Sequence, residues 1–294
     1  MDPSANPWPW LQSDTRETSR SEFPLPSLVR TGHRIDSGFV AHRFVEPFTG
    51  STRVLIELTL FGSIDLRRED GSEIRGLLQR PRAVALLAYL AAASPRAGAF
   101  HRRDALLDLL WRDAGPDQSR TSLRQIIHFI RAGLGDEAIE ARGDDEIRLA
   151  PDVIRCDVAE FNTAMANGRY ARADELYGGE LLSGFNLPDS PAFEHWLMGR
   201  RMAFAEHAAD VAWKLATLSE TDEKLTDASR WARRAMRLAV CDERKFRRAG
   251  ELMVRVGNAA IVVLLYDDLR KQLARLGLTP SAETRRFIEG IRQR

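Results

Sequence analysis

A mainly α protein, with short strands set around a helix-turn-helix and a longer run of helices after it, is the fold class this sequence predicts. Three observations predict it. Two amphipathic helical stripes flank a breaker run between residues 102 and 134, a short alternating hairpin comes next, and the chain from about residue 152 keeps helical periodicity with a 34-residue internal spacing.

The first 52 residues hold five of the thirteen prolines within positions 1–26 and show no sustained period, so they are expected to be a disordered leader. Trp8 and Trp10 are incidental aromatics of such a leader or a docking motif for a partner. From Arg53 the pattern turns to 54–62 and 64–66, apolar runs rich in Val, Ile and Leu, with Asp70-Gly71 as a turn and Ile74 after it, which reads as strands. A first helix is expected over 82–93, carrying Val84, Leu86, Leu87, Tyr89 and Leu90. A second runs over 102–111 with Ala105, Leu106, Leu109 and Leu110 at helical spacing. It stops at Asp113-Ala114-Gly115-Pro116. A third opens after Pro116, with Asp117 or Ser119 as N-cap and Leu123, Ile126, Ile127, Ile130 and Leu134 facing a core. Apolar alternation in 139–141 and 147–149 around Arg142-Gly143-Asp144-Asp145 then makes a hairpin. Helix, turn, basic helix and hairpin in that order spell a winged helix, expected over 53–151.

The stripe of the third helix opposite its apolar one holds Arg120, Arg124, His128 and Arg131, with Thr121 and Gln125 beside it. No acidic residue occurs between Ser119 and Leu134. A helix in the major groove needs long donors that reach phosphates, and Arg or Gln side chains that form paired hydrogen bonds with base edges. These residue types supply both. The alternative is a solvated helix face, and two features favour it. Fifteen arginines, no lysine and fifteen acidic residues between Arg53 and Ala150 leave that segment with a formal charge of zero, and the hairpin tip is acidic.

Beyond residue 152 the sequence reads as helix throughout. Ala228, Trp231 and Ala235 find counterparts 34 positions on at Val262, Leu265 and Leu269, the tetratricopeptide period, so Trp231 and Leu265 are expected at equivalent buried positions. Arg230, Arg233, Arg234, Arg237, Arg244, Arg247 and Arg248 cluster here, interleaved with Asp227, Asp242 and Glu243. They read as a solvated face or a surface for an acidic partner.

Length and composition fit two ordinary domains: 294 residues, 44% hydrophobic and 29% charged. No apolar run is long enough for a membrane span and no signal core opens the chain, so a cytoplasmic protein is expected. Cys156 and Cys241 form no C-x-x-C, arguing against a disulfide framework or a zinc site. No phosphate-binding loop is present, since Lys214, Lys224, Lys245 and Lys271 never come directly after a glycine. The six histidines make no H-E-x-x-H. The chain is therefore expected to be no enzyme, with no catalytic residue, metal site or cofactor.

The segment 102–134, with L-L-x-L-L-W and then D-Q-S-R-x-x-L-R-Q-x-x-x-x-I-R-x-x-L, resembles the winged-helix part of the Streptomyces antibiotic regulatory proteins. Further on, Cys156-Asp157-Val158 with Phe161, then residues 176–182, 189–197 and 278–284 resemble successive landmarks of the bacterial transcriptional activator domain. The resemblance covers about four-fifths of the chain, in order. It implies a winged helix of the OmpR/PhoB type over 53–151, its N-terminal strands ahead of the first helix, and an all-α tetratricopeptide-like domain over 152–294. It also implies a sequence-specific transcriptional regulator, in particular an activator, that binds double-stranded DNA at promoter repeats. The helical domain would dimerise and contact RNA polymerase. Carried onto this chain, the DNA contacts would be Arg120, Thr121, Arg124, Gln125, His128 and Arg131 from the helix and Arg142 and Arg148 from the wing. The chain departs from the family pattern at Phe129, where a polar or basic residue is usual, and at Gly143-Asp144-Asp145-Glu146, which replaces a glycine-aromatic tip. The competing reading is a helical-repeat interaction scaffold whose winged helix no longer binds DNA.

Overall fold

The computed structural model describes residues 56–238 and 242–293, all within one unit. The expected leader, its two tryptophans and Cys241 lie outside the described residues.

The chain enters through β1 (Ile56–Thr59) and β2 (Asp65–Arg68), antiparallel, with Leu58 opposite Leu66 and both side chains buried. Asp70-Gly71 turns the chain after β2, with Gly71 at φ +80°, and brings Glu73 back antiparallel to Arg67. A four-residue helix, α1 (Arg75–Leu78), precedes α2 (Pro81–Ala92). Pro81 at the first turn suits its fixed φ. Helix α2 buries Ala83 through Ala88 as well as Leu90 and Ala92, so it is enclosed on nearly every side and forms the centre of the fold. Next come β3 (His101–Arg102), α3 (Arg103–Leu110), α4 (Pro116–Leu134), β4 (Ile139–Arg142) and β5 (Glu146–Leu149), with the sheet order β3-β5-β4. Strands ahead of α2, α3 and α4 and a hairpin after them make the winged helix-turn-helix.

Helix alone does not fill the rest of the chain. A short strand, β6 (Ile154–Cys156), runs parallel to β1 with Cys156 opposite Leu58. This strand completes the first sheet, in the order β2-β1-β6. Helices α5 (Asp157–Ala166) and α6 (Tyr170–Leu176) come after it. Beyond a stretch of irregular chain lie α7 (Pro191–Thr221), α8 (Leu225–Leu238), α9 (Glu243–Arg255), α10 (Ala259–Arg275) and α11 (Ala282–Arg292). The architecture is mainly α, with an all-helical end.

One buried apolar cluster runs without interruption from Ile56 to Val211, and a second from Ala216 to Ile291. The division expected at residue 152 thus falls within the first cluster, and the two clusters meet on α7. At 31 residues and 1.5 Å per residue that helix is about 46 Å long.

The sequence landmarks after residue 152 turn out to be joints. The Asp157 carboxylate accepts hydrogen bonds from the backbone N–H of Leu60 (3.0 Å), Phe61 (2.8 Å) and Val158 (2.8 Å), clamping the end of β1 to the start of α5. Residues 180–183 hydrogen-bond along 60–62. Gly179 packs so close to Gly62 that a Cβ would sit 3.2 Å from the Gly62 Cα. Arg201 donates to the carbonyls of Leu181, Leu182 and Phe185, fixing a loop in which Leu182 takes φ +49°. Ser190 at the start of α7 donates to the Leu109 carbonyl of α3 at 2.5 Å. Ser281 caps α11 and is itself held by Glu243 of α9 at 2.6 Å.

In the helical stack, Ala228 and Val262 are fully buried and Ala235 and Leu269 nearly so, as the 34-residue spacing requires. Trp231 and Leu265 do occupy equivalent positions, but half-buried ones at the edge of the core. Much of the arginine cluster is paired with acids: Arg230 with Asp227, Arg234 with Asp174, Arg247 with Glu283 and Arg248 with Glu220.

Candidate nucleic-acid interface

Helix α4 carries the candidate residues, and its local sequence explains its placement. Pro116 occupies the first turn, and Gly115, in extended backbone, takes the N-cap position expected for Asp117 or Ser119. The Ser119 hydroxyl turns inward instead and donates to the Pro116 carbonyl at 2.9 Å. Leu123, Ile127, Ile130 and Leu134 are buried, while Ile126 is half-buried. Gly133 lets Leu77 of α1 approach, since a Cβ there would lie 2.9 Å from its methyl.

The opposite face is open. Arg120, Thr121, Arg124, Gln125 and His128 are all exposed, at positions i, i+1, i+4, i+5 and i+8. Thr121 donates back to the Asp117 carbonyl at 2.8 Å, which leaves its oxygen as an outward acceptor. Arg120 and Arg124 make no ion pair among the described residues. Phe129, half-buried, packs beneath the Arg80 guanidinium at 5.2 Å.

Three candidate residues are otherwise engaged. Arg131 is half-buried and donates to the Ile139 carbonyl at 2.7 Å, tying the end of α4 to β4. On the wing, the register sets Arg142 opposite Glu146 and Arg148 opposite Glu140, and each arginine pairs with the glutamate it faces. The two guanidiniums also lie 4.4 and 4.6 Å from the Phe100 ring centroid. The structure thus brings five of the eight candidate residues into one free row and commits the other three to holding helix and wing together.

Strand β3 supports the wing through His101, which packs edge-on against Tyr89 at 5.2 Å between ring centroids and pairs with Ile147. Burial pushes the His101 imidazole below its ordinary pKa, with a backbone hydrogen bond at Leu90 opposing. Its Nε2 is buried with no partner, so a proton added there would be an unsatisfied donor. A His with a lowered folded pKa binds its proton more readily in the unfolded chain. Its contribution to stability is therefore complete above the unfolded value, about pH 6.5, and is lost as pH falls through the folded pKa. His101→Phe keeps the ring and removes the titration. Urea titrations between pH 7.5 and 5 should show a shallower acid loss for the variant, and equal slopes would contradict this placement of the proton.

Among the described residues no group of His, Cys, Asp and Glu is arranged to hold a metal ion, and no helix is long and apolar enough to cross a membrane. Cys156 is buried, and burial raises its thiol pKa.

No family model matches the chain, and neither does any curated protein. Among solved structures it is similar to that of Mycobacterium tuberculosis EmbR in complex with a low affinity phosphopeptide, at 19% identity and a TM-score of 0.49. The match covers 81% of this chain and 65% of that one, so the chain spans about two-thirds of the length of that structure.

Proposed function

We infer that this chain is a sequence-specific DNA-binding regulator of transcription, reading duplex DNA through the exposed row of α4. The observation that carries this reading is the row itself. Arg120, Thr121, Arg124, Gln125 and His128 project from the face opposite the buried Leu123, Ile127 and Ile130, with no acidic residue on the helix after Asp117. Arg124 and Gln125 are the residue types that pair bidentately with guanine and adenine edges, and Arg120 reaches a phosphate. Arg131, Arg142 and Arg148 hold the wing against the helix in this reading and touch phosphate only with the edges their internal partners leave free. Residues 53–151 are the DNA-binding part and 152–294 the helical part that serves dimerisation and contact with RNA polymerase in the cytoplasm. Those roles, like activation at promoter repeats, rest on the family resemblance in the sequence.

A second reading, an interaction scaffold, draws support from the zero net charge of residues 53–150 and from the internally paired wing arginines. Selection of bound sequences from random duplex DNA with the purified protein decides between them. Enrichment of a defined motif, with affinity falling as salt rises, supports the regulator. Absence of salt-dependent duplex binding at low ionic strength, with no motif enriched, supports the scaffold.

A further inference from the structure

The wing of this protein carries the wrong charge for an arm that embraces DNA. From Ile139 to Leu149 it holds two arginines and four acids, and both arginines are neutralised by the glutamates they face. What remains unpaired is Asp144 and Asp145 at the tip, where Gly143 turns the chain at φ +61°.

The tip stands beside the reading helix. A concavity of about 590 Å³ has Arg103, Arg120 and Arg124 on its helical side and Asp144 and Asp145 on its wing side. The tip is pinned there, because the Arg103 N–H donates to the Asp145 carbonyl at 2.7 Å and β5 pairs with β3 as well as β4. Neither aspartate forms an ion pair among the described residues, so both carboxylates face the solvent that a phosphate backbone would displace.

We propose that Asp144 and Asp145 form an electrostatic brake on the DNA-reading helix, lowering its affinity for every duplex by a sequence-independent amount. The proposal rests on the regulator reading above. Duplex DNA carries one negative charge per about 1.7 Å of axis, so two carboxylates fixed at the rim of the contact oppose the phosphates whatever the base sequence. They also compete with phosphate for Arg120, which lines the same concavity. At separations within a Debye length each such charge lowers affinity by about threefold to fivefold, and the pair by on the order of tenfold at low salt. Base contacts from Arg124 and Gln125 are unaffected. The protein thereby holds weakly to random DNA, and its occupancy depends on the sequence-specific hydrogen bonds.

The test compares the full-length parent with D144N/D145N and D144K/D145K on two duplexes, the motif enriched by selection and a scrambled control, across a range of salt. Thermal melting of each variant, expected to be unchanged because both residues are exposed, guards against a folding effect. The brake predicts a graded gain, about tenfold for the asparagine pair and more for the lysine pair. The same factor should appear on both duplexes and shrink as salt rises. Equal binding by parent and variants would overturn the brake and leave the regulator reading standing. A loss confined to the selected motif would overturn it too, because the tip would then be reading a base, as an aspartate can at the cytosine amino group. If even the lysine pair binds no duplex at low salt, the regulator reading falls and the brake with it.

Discussion

Phe161→Ala should lower the unfolding free energy by about 3–5 kcal/mol. Phe161 is fully buried and sits among Phe61, Tyr177 and Phe204, with centroid separations of 5.3, 6.0 and 6.2 Å. These four rings come from the chain after β1, from α5, from the end of α6 and from α7, so the cluster joins the winged helix to the helices beyond β6. The cavity left by the ring cannot easily collapse. The Phe61 N–H is held by the Asp157 carboxylate, and the neighbouring Gly62 is already packed against Gly179. Denaturant titration of the full chain checks the magnitude. Trp231→Ala provides the comparison, since its half-buried ring loses less solvent protection and should cost less than Phe161→Ala. A Phe161→Ala loss below about 1 kcal/mol would mean that the cluster does not bind these elements together.

The winged helix was legible because its signals are local. The α4 stripe at 123, 127, 130 and 134 is a repeat within a single helix, and the 139–149 hairpin shows itself by alternation around a Gly-Asp turn. Strand β6 was not legible, for it spans three residues and its partner lies 98 positions earlier, Ile56 opposite Ile154. No window of sequence contains both. The same limit hid the continuity of the core through residue 211, which depends on the Asp157 clamp and the pairing of 180–183 with 60–62. A repeat of 34 residues likewise establishes that Trp231 and Leu265 are equivalent without establishing their depth. The commitment of the wing arginines was within reach of the sequence. A three-residue turn over 143–145 sets 142 opposite 146 and 140 opposite 148, placing each arginine across from a glutamate. Arg131 was hidden because its partner is a backbone carbonyl, which no side-chain pattern encodes.

That difference between Arg124 and Arg131 yields the largest expected effect on function. Arg124→Ala should lose about 1–3 kcal/mol of binding on the selected motif and relax the base preference at one position. Its side chain is exposed and makes no ion pair among the described residues, so melting should stay within about 0.5 kcal/mol of the parent. Arg131→Ala should behave differently. Losing its hydrogen bond to the Ile139 carbonyl releases the end of α4 from β4, at a cost of about 0.5–1.5 kcal/mol in stability. Binding should weaken by a similar factor on selected and scrambled duplexes, because a displaced wing and a lost cation act on all sequences alike. Arg131→Lys separates those two causes: it keeps the charge while giving up the guanidinium geometry, so it should recover the salt slope but not the stability. If instead Arg124→Ala weakens both duplexes equally and leaves the base preference intact, Arg124 holds a phosphate. The reading of sequence must then pass to Gln125 and His128.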